Sequence, residues 1–339
     1  MESAQAIIAL FDKGKPSEAD FTKLLELHGT KAILEKVASF NPNVSFNEFR
    51  STLRQVIETG TAKPDPFRFM LVKNRLPQVR ELLKLIEQNP QALTEAVIQQ
   101  ISKYSDTSLQ MNVTVHFLLG GTSNAFAKGE KDFYVGLQYF GNDYDGLREE
   151  MAHELFHNAQ ARLKKVRRKS SHDAARSMPV TRSVQLLDRF VDEATAVLVG
   201  NPEELKGDGT FSKFYQGLIA RNNDRMTSNF ALFELMLYRL YNDQSLNSDY
   251  FDEQLRFIGL SDLYDSPFYI MGYQMAKTIE KYKGQKTIAS LIGKSPTLFF
   301  KEYIEIYKKN SDPEIIRFSQ PCEDILLTLT QSELNNAAK

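Results

Sequence analysis

Apolar positions along the 339-residue chain recur mostly at spacings of three and four, the period of helices. Ile7, Ile8, Leu10 and Phe11 make one such stripe. A second begins after Pro16-Ser17, turns Phe21, Leu24, Leu25 and Leu27 inward, and is expected to stop at Gly29. Ser45 and Glu48 have the spacing of a capping box ahead of Phe49, Leu53 and Ile57, with Gly60 as the stop. Thr61 to Pro66, which holds two prolines, reads as a short linker. Helices are then expected over Leu76 to Gln88 and Gln91 to Tyr104, parted by Asn89-Pro90. His28 falls at a helix end and reads as structural.

The period changes at Met111. Val113 to Leu118 alternates and is β-branched, the pattern of a strand closed by Gly120-Gly121. His116 shares a face with Thr114 and Leu118 and reads as a packed or surface strand residue. A second strand is expected over Phe133 to Phe140, and Gly141-Asn142-Asp143 turns the chain into a helix in which Leu147, Met151, Leu155 and Asn158 restore the 3.6 period, with Asp145 as N-cap. Lys164 to Met178 is polar and reads as a loop. Pro179 opens a helix carrying Val184, Leu187, Phe190, Val191, Ala194, Val197 and Leu198, ended by Gly200-Asn201-Pro202. Further helices are expected at about Arg221 to Tyr241, in a segment through Phe257, and over Phe268 to Tyr282 and Ile288 to Tyr307, with a frayed tail after Glu333. The fold class is therefore α+β and predominantly helical. A core over 106–200, made of a small mixed sheet, the helix after Asp143 and the helix after Pro179, lies between a helical amino-terminal region (1–105) and a helical carboxy-terminal region (201–339) that completes a cleft.

Composition narrows the function. Apolar residues are 42% and charged residues 25%, ordinary for a globular protein with a sizeable core. A net charge of −1 argues against nucleic acid or an anionic membrane as partner. The basic cluster Lys164, Lys165, Arg167, Arg168 and Lys169 reads as a solvated loop. Cys322 is the one cysteine, which excludes an internal disulfide and cysteine-based zinc sites. No apolar run reaches membrane-spanning length. The start Met1-Glu2-Ser3-Ala4 enters an amphipathic pattern at once, so the expected location is cytoplasmic, or exported if a leader has been removed.

Candidate chemistry sits in the helix after Asp143. His153, Glu154 and His157 form the pattern H-E-x-x-H. Side chains four apart stack on one helix face, so the two imidazoles can hold one zinc ion per chain, and Glu154 can reach a water bound to it. A catalytic zinc usually takes a third protein ligand. A histidine six residues past His157 would mark a metzincin, but Leu163 stands there, and Gln160 replaces that motif's glycine. Glu193, inside Asp192-Glu193-Ala194-Thr195-Ala196 on the later helix, is the strongest candidate; His172, Asp173, Asp188 and Asp192 compete with it.

His153, Glu154 and His157 followed by Glu193 resemble the gluzincin branch of the zincin peptidases, which implies a zincin-like fold and a peptide or protein substrate. Asn124-Ala125-Phe126 ahead of a strand and then H-E-x-x-H resembles thermolysin-type peptidases, where that segment is an edge strand pairing with substrate; the resemblance assigns Asn124 and Ala125 to substrate binding. There are departures. Val197 stands where thermolysin relatives have an aspartate, and no histidine follows His172. Taken whole, with a late Y-x-x-G motif, the chain resembles an uncharacterised bacterial family of candidate zinc-dependent peptidases.

Hydrolysis of an amide also needs a donor for the developing oxyanion. With no downstream histidine, tyrosine is the natural substitute, and Pro267 to Ala276 is the densest stretch. Tyr269 is the first candidate for the donor; Tyr273, one turn on, is the next and is grouped with the substrate-contacting residues, while Gly272 between them would permit close helix packing. The expected function is a zinc-dependent peptidase, more an endopeptidase than an exopeptidase, with Glu154 as base. The alternative is a zincin-fold binding protein that keeps the metal but lacks turnover.

Overall fold

The computed structural model describes residues 1–105, 112–129, 131–170, 177–243, 245, 258–260 and 265–337. The chain divides into two compact units: residues 1–97, 111–154 and 205–214, and residues 98–110, 155–204 and 215–339.

The first unit opens with helices α1 (Glu2–Lys13), α2 (Glu18–Glu26), α3 (His28–Ala38), α4 (Phe46–Thr59), α5 (Phe69–Gln88) and most of α6 (Pro90–Ser102). Ser17 and Asp20 close a reciprocal capping box on α2, and the Ser45 side chain accepts from Glu48 N at the start of α4. Phe49, Phe67 and Phe69 are fully buried, Phe49 lying edge-on to both others at 5.0 Å between centroids. Gly29 does not end α2; it is the second residue of α3. A Cβ there would lie 2.5 Å from Ser3 Oγ and 2.6 Å from Leu118 Cδ2, so glycine serves close packing and not termination. Thr61 to Pro66 is likewise no boundary between units. Its Asp65 carboxylate accepts from Phe69 N at 3.0 Å and Met70 N at 2.8 Å, which starts α5 well before Leu76 and carries it through Pro77.

Among the described residues the sheet has three strands, β1 (Thr114–Leu118), β2 (Ala125–Lys128) and β3 (Asp132–Gly136), in the order β1-β3-β2. Strand β3 is parallel to β1 and antiparallel to β2, a small mixed sheet as expected, with β2 at an edge. The strand expected to reach Phe140 ends at Gly136, followed by a 3-10 turn over Leu137–Tyr139. A Cβ at Gly136 would come within 2.9 Å of the Ser123 carbonyl oxygen, so the last position of the strand has room only for glycine. Helix α7 (Tyr144–Ser170) follows, and the division between units falls within it, after Glu154.

The second unit is helical: the rest of α7, then α8 (Met178–Gly200), most of α9 (Thr210–Asp224), α10 (Met226–Asn242), α11 (Pro267–Lys283), α12 (Gln285–Leu291), α13 (Thr297–Lys309) and α14 (Gln320–Ala337). Phe190, Phe233, Phe268 and Phe300 share its core, with Phe190 at 4.9 Å from Phe233 and 5.3 Å from Phe300. Three sequence expectations change here. Helix α7 continues through Lys164, which pairs with Asp188 at 2.7 Å and Asp192 at 2.6 Å and so gains partners that a loop reading lacks. The helix expected over Arg221 to Tyr241 is broken at Arg225, where Asn229 Nδ2 donates to Asn222 Oδ1, and Asn222 Nδ2 to the Asp265 carbonyl. The helix expected over Ile288 to Tyr307 is interrupted at Gly293, whose φ is +75° and whose absent Cβ would meet Leu163 Cβ at 2.5 Å. The segment through Phe257 lies outside the described residues.

Candidate metal centre

Helix α7 is fixed at its start by Asp143 and not by Asp145, which is its second residue. The Asp143 carboxylate accepts from Gly146 N at 2.9 Å, satisfying an orphan N–H of the first turn, and from Ser212 N at 2.7 Å and Ser212 Oγ at 3.0 Å. The charge also faces the positive end of the helix dipole.

Two and three turns on come His153, Glu154 and His157. His153 is buried; Glu154 and His157 are half-buried. From α8, Glu193 Oε2 approaches His157 Nε2 to 3.4 Å, and one ligand atom each of His153, His157 and Glu193 lies within 4.8 Å of the others. Donors around a tetrahedral zinc stand roughly 3.3 Å apart, as bonds of about 2.0–2.1 Å require. The donor set therefore fits zinc in kind and, with a small inward adjustment, in spacing.

Gln160 orients the second histidine. Its Nε2 donates to the Asp192 carbonyl at 2.8 Å and to Thr195 Oγ1 at 2.8 Å, while Thr195 Oγ1 donates to the Val191 carbonyl at 2.8 Å. A backbone carbonyl can only accept, so the amide nitrogen must face α8 and the amide oxygen must face His157 Nδ1, 2.7 Å away. That oxygen can only accept as well, so the network assigns the proton to Nδ1 and leaves the Nε2 lone pair toward Glu193 and the prospective metal. Gln160 is 3% exposed, so water does not compete for these bonds. In the sequence Gln160 stands out only as a departure from the metzincin motif. Its position three past His157, on the same helix face, was the available signal.

Of the competing ligands, Asp188 and Asp192 are held by Lys164. Burial raises the Asp192 pKa to about 6, against the pull of Lys164. His172 and Asp173 lie outside the described residues. Glu149, one turn before His153, is a further carboxyl that sequence reasoning left unassigned. It is 1% exposed, neither of its oxygens finds a hydrogen-bond partner among the described residues, and burial pushes its pKa up to about 8, with Arg148 opposing and Asp143 and Glu154 adding to the rise.

Asn124 and Ala125 stand at the start of the edge strand. The Asn124 side chain donates to Glu150 Oε1 at 2.6 Å, tying the edge to α7 one turn before His153, and its carbonyl accepts from Gly136 N at 2.8 Å. On α11, Gly272 is pressed against α8: a Cβ would lie 2.6 Å from Ala194 Cβ, beside Glu193. Tyr269 is half-buried one turn earlier. Tyr273 is fully buried, and its hydroxyl donates at 3.1 Å to Asn201 Oδ1, on the residue that caps α8 at φ +58°. That bond lies at the end of α8, eight residues beyond Glu193.

Two helices thus bring two imidazoles and a carboxylate together in the manner of a zinc centre. The chain belongs to the family described as "Putative zinc dependent peptidase (DUF5700)", whose model matches residues 21–312 and so spans every residue of the centre. No curated protein and no solved structure matches the chain.

Proposed function

We propose that the protein is a zinc-dependent endopeptidase of the gluzincin type, with His153, His157 and Glu193 as ligands and Glu154 as general base. The observation that carries this reading is the convergence of those three ligand atoms from α7 and α8, with His157 held in a ligating tautomer by Gln160. Zinc bound there would acidify a water and polarise the scissile carbonyl. Glu154 takes the proton of the attacking water and returns it to the leaving amine. Tyr269 donates to the developing oxyanion; the packing of Gly272 on Ala194 supports this by fixing its helix beside the one that carries Glu193. A peptide extends along β2, whose outer edge offers backbone N–H and C=O groups, and the Asn124–Glu150 bond holds that edge to the metal helix.

Glu154→Gln keeps the size and a polar group but removes the base. It should keep the parent's zinc content while zinc-dependent cleavage of a peptide library disappears. A parent protein that holds zinc in this centre but cleaves nothing in the library would replace the enzyme by a metal-containing binding protein.

A further inference from the structure

A second group of ligand-type side chains lies wholly within the first unit and independently of the peptidase reading. His28 is the first residue of α3, His116 is in the middle of β1, and Asp132 opens β3. One ligand atom of each lies within 4.8 Å of the others. Their meeting follows from the register and from one glycine. In the parallel pair, Thr114 stands opposite Asp132 and His116 opposite Tyr134, so His116, Leu118, Asp132 and Tyr134 share a face of the sheet. Leu118 is the residue that Gly29 admits against α3. Two residues back along the strand and one back along the helix, His116 meets His28, their ring centroids 4.7 Å apart.

His116 Nε2 is 2.9 Å from Asp132 Oδ1, and His28 Nε2 is 4.0 Å from the same oxygen. These distances straddle the roughly 3.3 Å between donors of a tetrahedral zinc. The larger adjustment falls to His28, whose side chain is 59% exposed and would exchange its bond to Tyr134 for the metal. Tyr134 OH, 2.6 Å from His28 Nε2, backs the cluster.

We propose that His28, His116 and Asp132 form a second divalent-metal site that clips the start of α3 to β1 and β3. Two imidazoles and a carboxylate select a borderline transition metal such as zinc over calcium or magnesium, which prefer oxygen donors. A metal bound only by the folded arrangement raises its stability by RT ln(1 + L/Kd), with L the free metal concentration, and so more at higher free metal.

The test uses zinc alone. Metal-stripped protein carrying His157→Ala, which disables the centre on α7 and α8, is dialysed against zinc, and bound metal and the thermal midpoint are measured. One zinc per chain should remain and should raise the midpoint. Adding His28→Gln or Asp132→Asn should remove both the zinc and the shift. In the parent background His28→Gln should lower the zinc count by one, so the outcome does not depend on the His157→Ala protein folding; circular dichroism confirms that this exposed substitution leaves the helices intact. A His157→Ala protein that is folded but binds no zinc, or whose zinc survives both added substitutions, overturns the proposal and leaves a hydrogen-bonded cluster only. Failure of the peptidase centre reads differently: zinc would then be lost with His116→Ala and unaffected by His157→Ala.

Discussion

Gly272→Ala is the sharpest probe of how α11 meets α8. The new Cβ would stand 2.6 Å from Ala194 Cβ, 3.1 Å from Ala194 Cα and 3.3 Å from Phe190 Cε1. Carbon atoms prefer about 3.5–4.0 Å, so the two helices must part by about 1 Å at a place where Ala194 and Phe190 are buried and neither can swing aside. Overpacking of this kind costs about 1–3 kcal/mol. Replacing an interior helical glycine by alanine returns about 1 kcal/mol, leaving a net loss of about 0–2 kcal/mol. Ala194→Gly alone loses about 1 kcal/mol of helix propensity together with a buried methyl group. In the double variant the methyl of residue 272 takes the space vacated at 194, and the propensity terms cancel. The pair should therefore be close to parental stability, with a coupling energy of about 1–3 kcal/mol. Urea unfolding of the four proteins measures it. Because Glu193 adjoins Ala194, zinc affinity should fall in the first variant and recover in the pair. A Gly272→Ala protein at least as stable as the parent, with coupling below about 0.5 kcal/mol, would refute the close approach.

Removing the amide that orients His157, by Gln160→Ala, should weaken zinc about 10–100-fold in a competition titration while helix content is unchanged. Gln160→Glu still accepts from Nδ1 but loses the donors to Asp192 and Thr195, and should not restore affinity. For Glu149 the folded pKa lies above its ordinary value of 4.5, so its contribution is fully present below that value and is lost as pH rises toward about 8. Glu149→Gln should thus gain stability relative to the parent between about pH 5 and about pH 8, by at most about 1.4 kcal/mol per unit; urea midpoints that run parallel over this range would count against a protonated, buried Glu149. With Tyr269 as the proposed oxyanion donor, Tyr269→Phe should leave zinc content and KM nearly unchanged and lower kcat by about 10²–10³, since a donor used mainly in the transition state acts on the chemical step.

What could be read in the sequence was what depends on near neighbours. The stacking of His153 and His157 needs only a helix, and Ser45, Gly60 and Asn201 act within one turn of the ends they cap. What could not be read depends on distant partners. Lys164 looked like the start of a solvated loop because Asp188 and Asp192, which neutralise it, arrive from another helix. Gly29 looked like a stop because its purpose, admitting Leu118, is visible only once β1 is in place. The same contact hid the approach of His116 to His28, two residues that each looked unremarkable alone. Gln160 carried a local signal, yet its significance lies in the direction of an amide that only the carbonyl of Asp192 decides.

Strand β2 is four residues long, Ala125 to Lys128. At about 3.3 Å per residue it offers a docking rail of about 13 Å. Its inner backbone groups are taken by β3, and since hydrogen-bonding groups alternate from side to side, only about two residues present N–H and C=O groups outward. Lys128, at the far end, is paired with Glu35. Such a rail can align a guest without gripping it for long. In the proposed reading it would distinguish an extended backbone from a folded one, and leave the choice of cleavage position to contacts made elsewhere. The same brevity makes the edge a poor template for another copy of the chain, so the edge proposed to receive a peptide is also one that resists fibril growth.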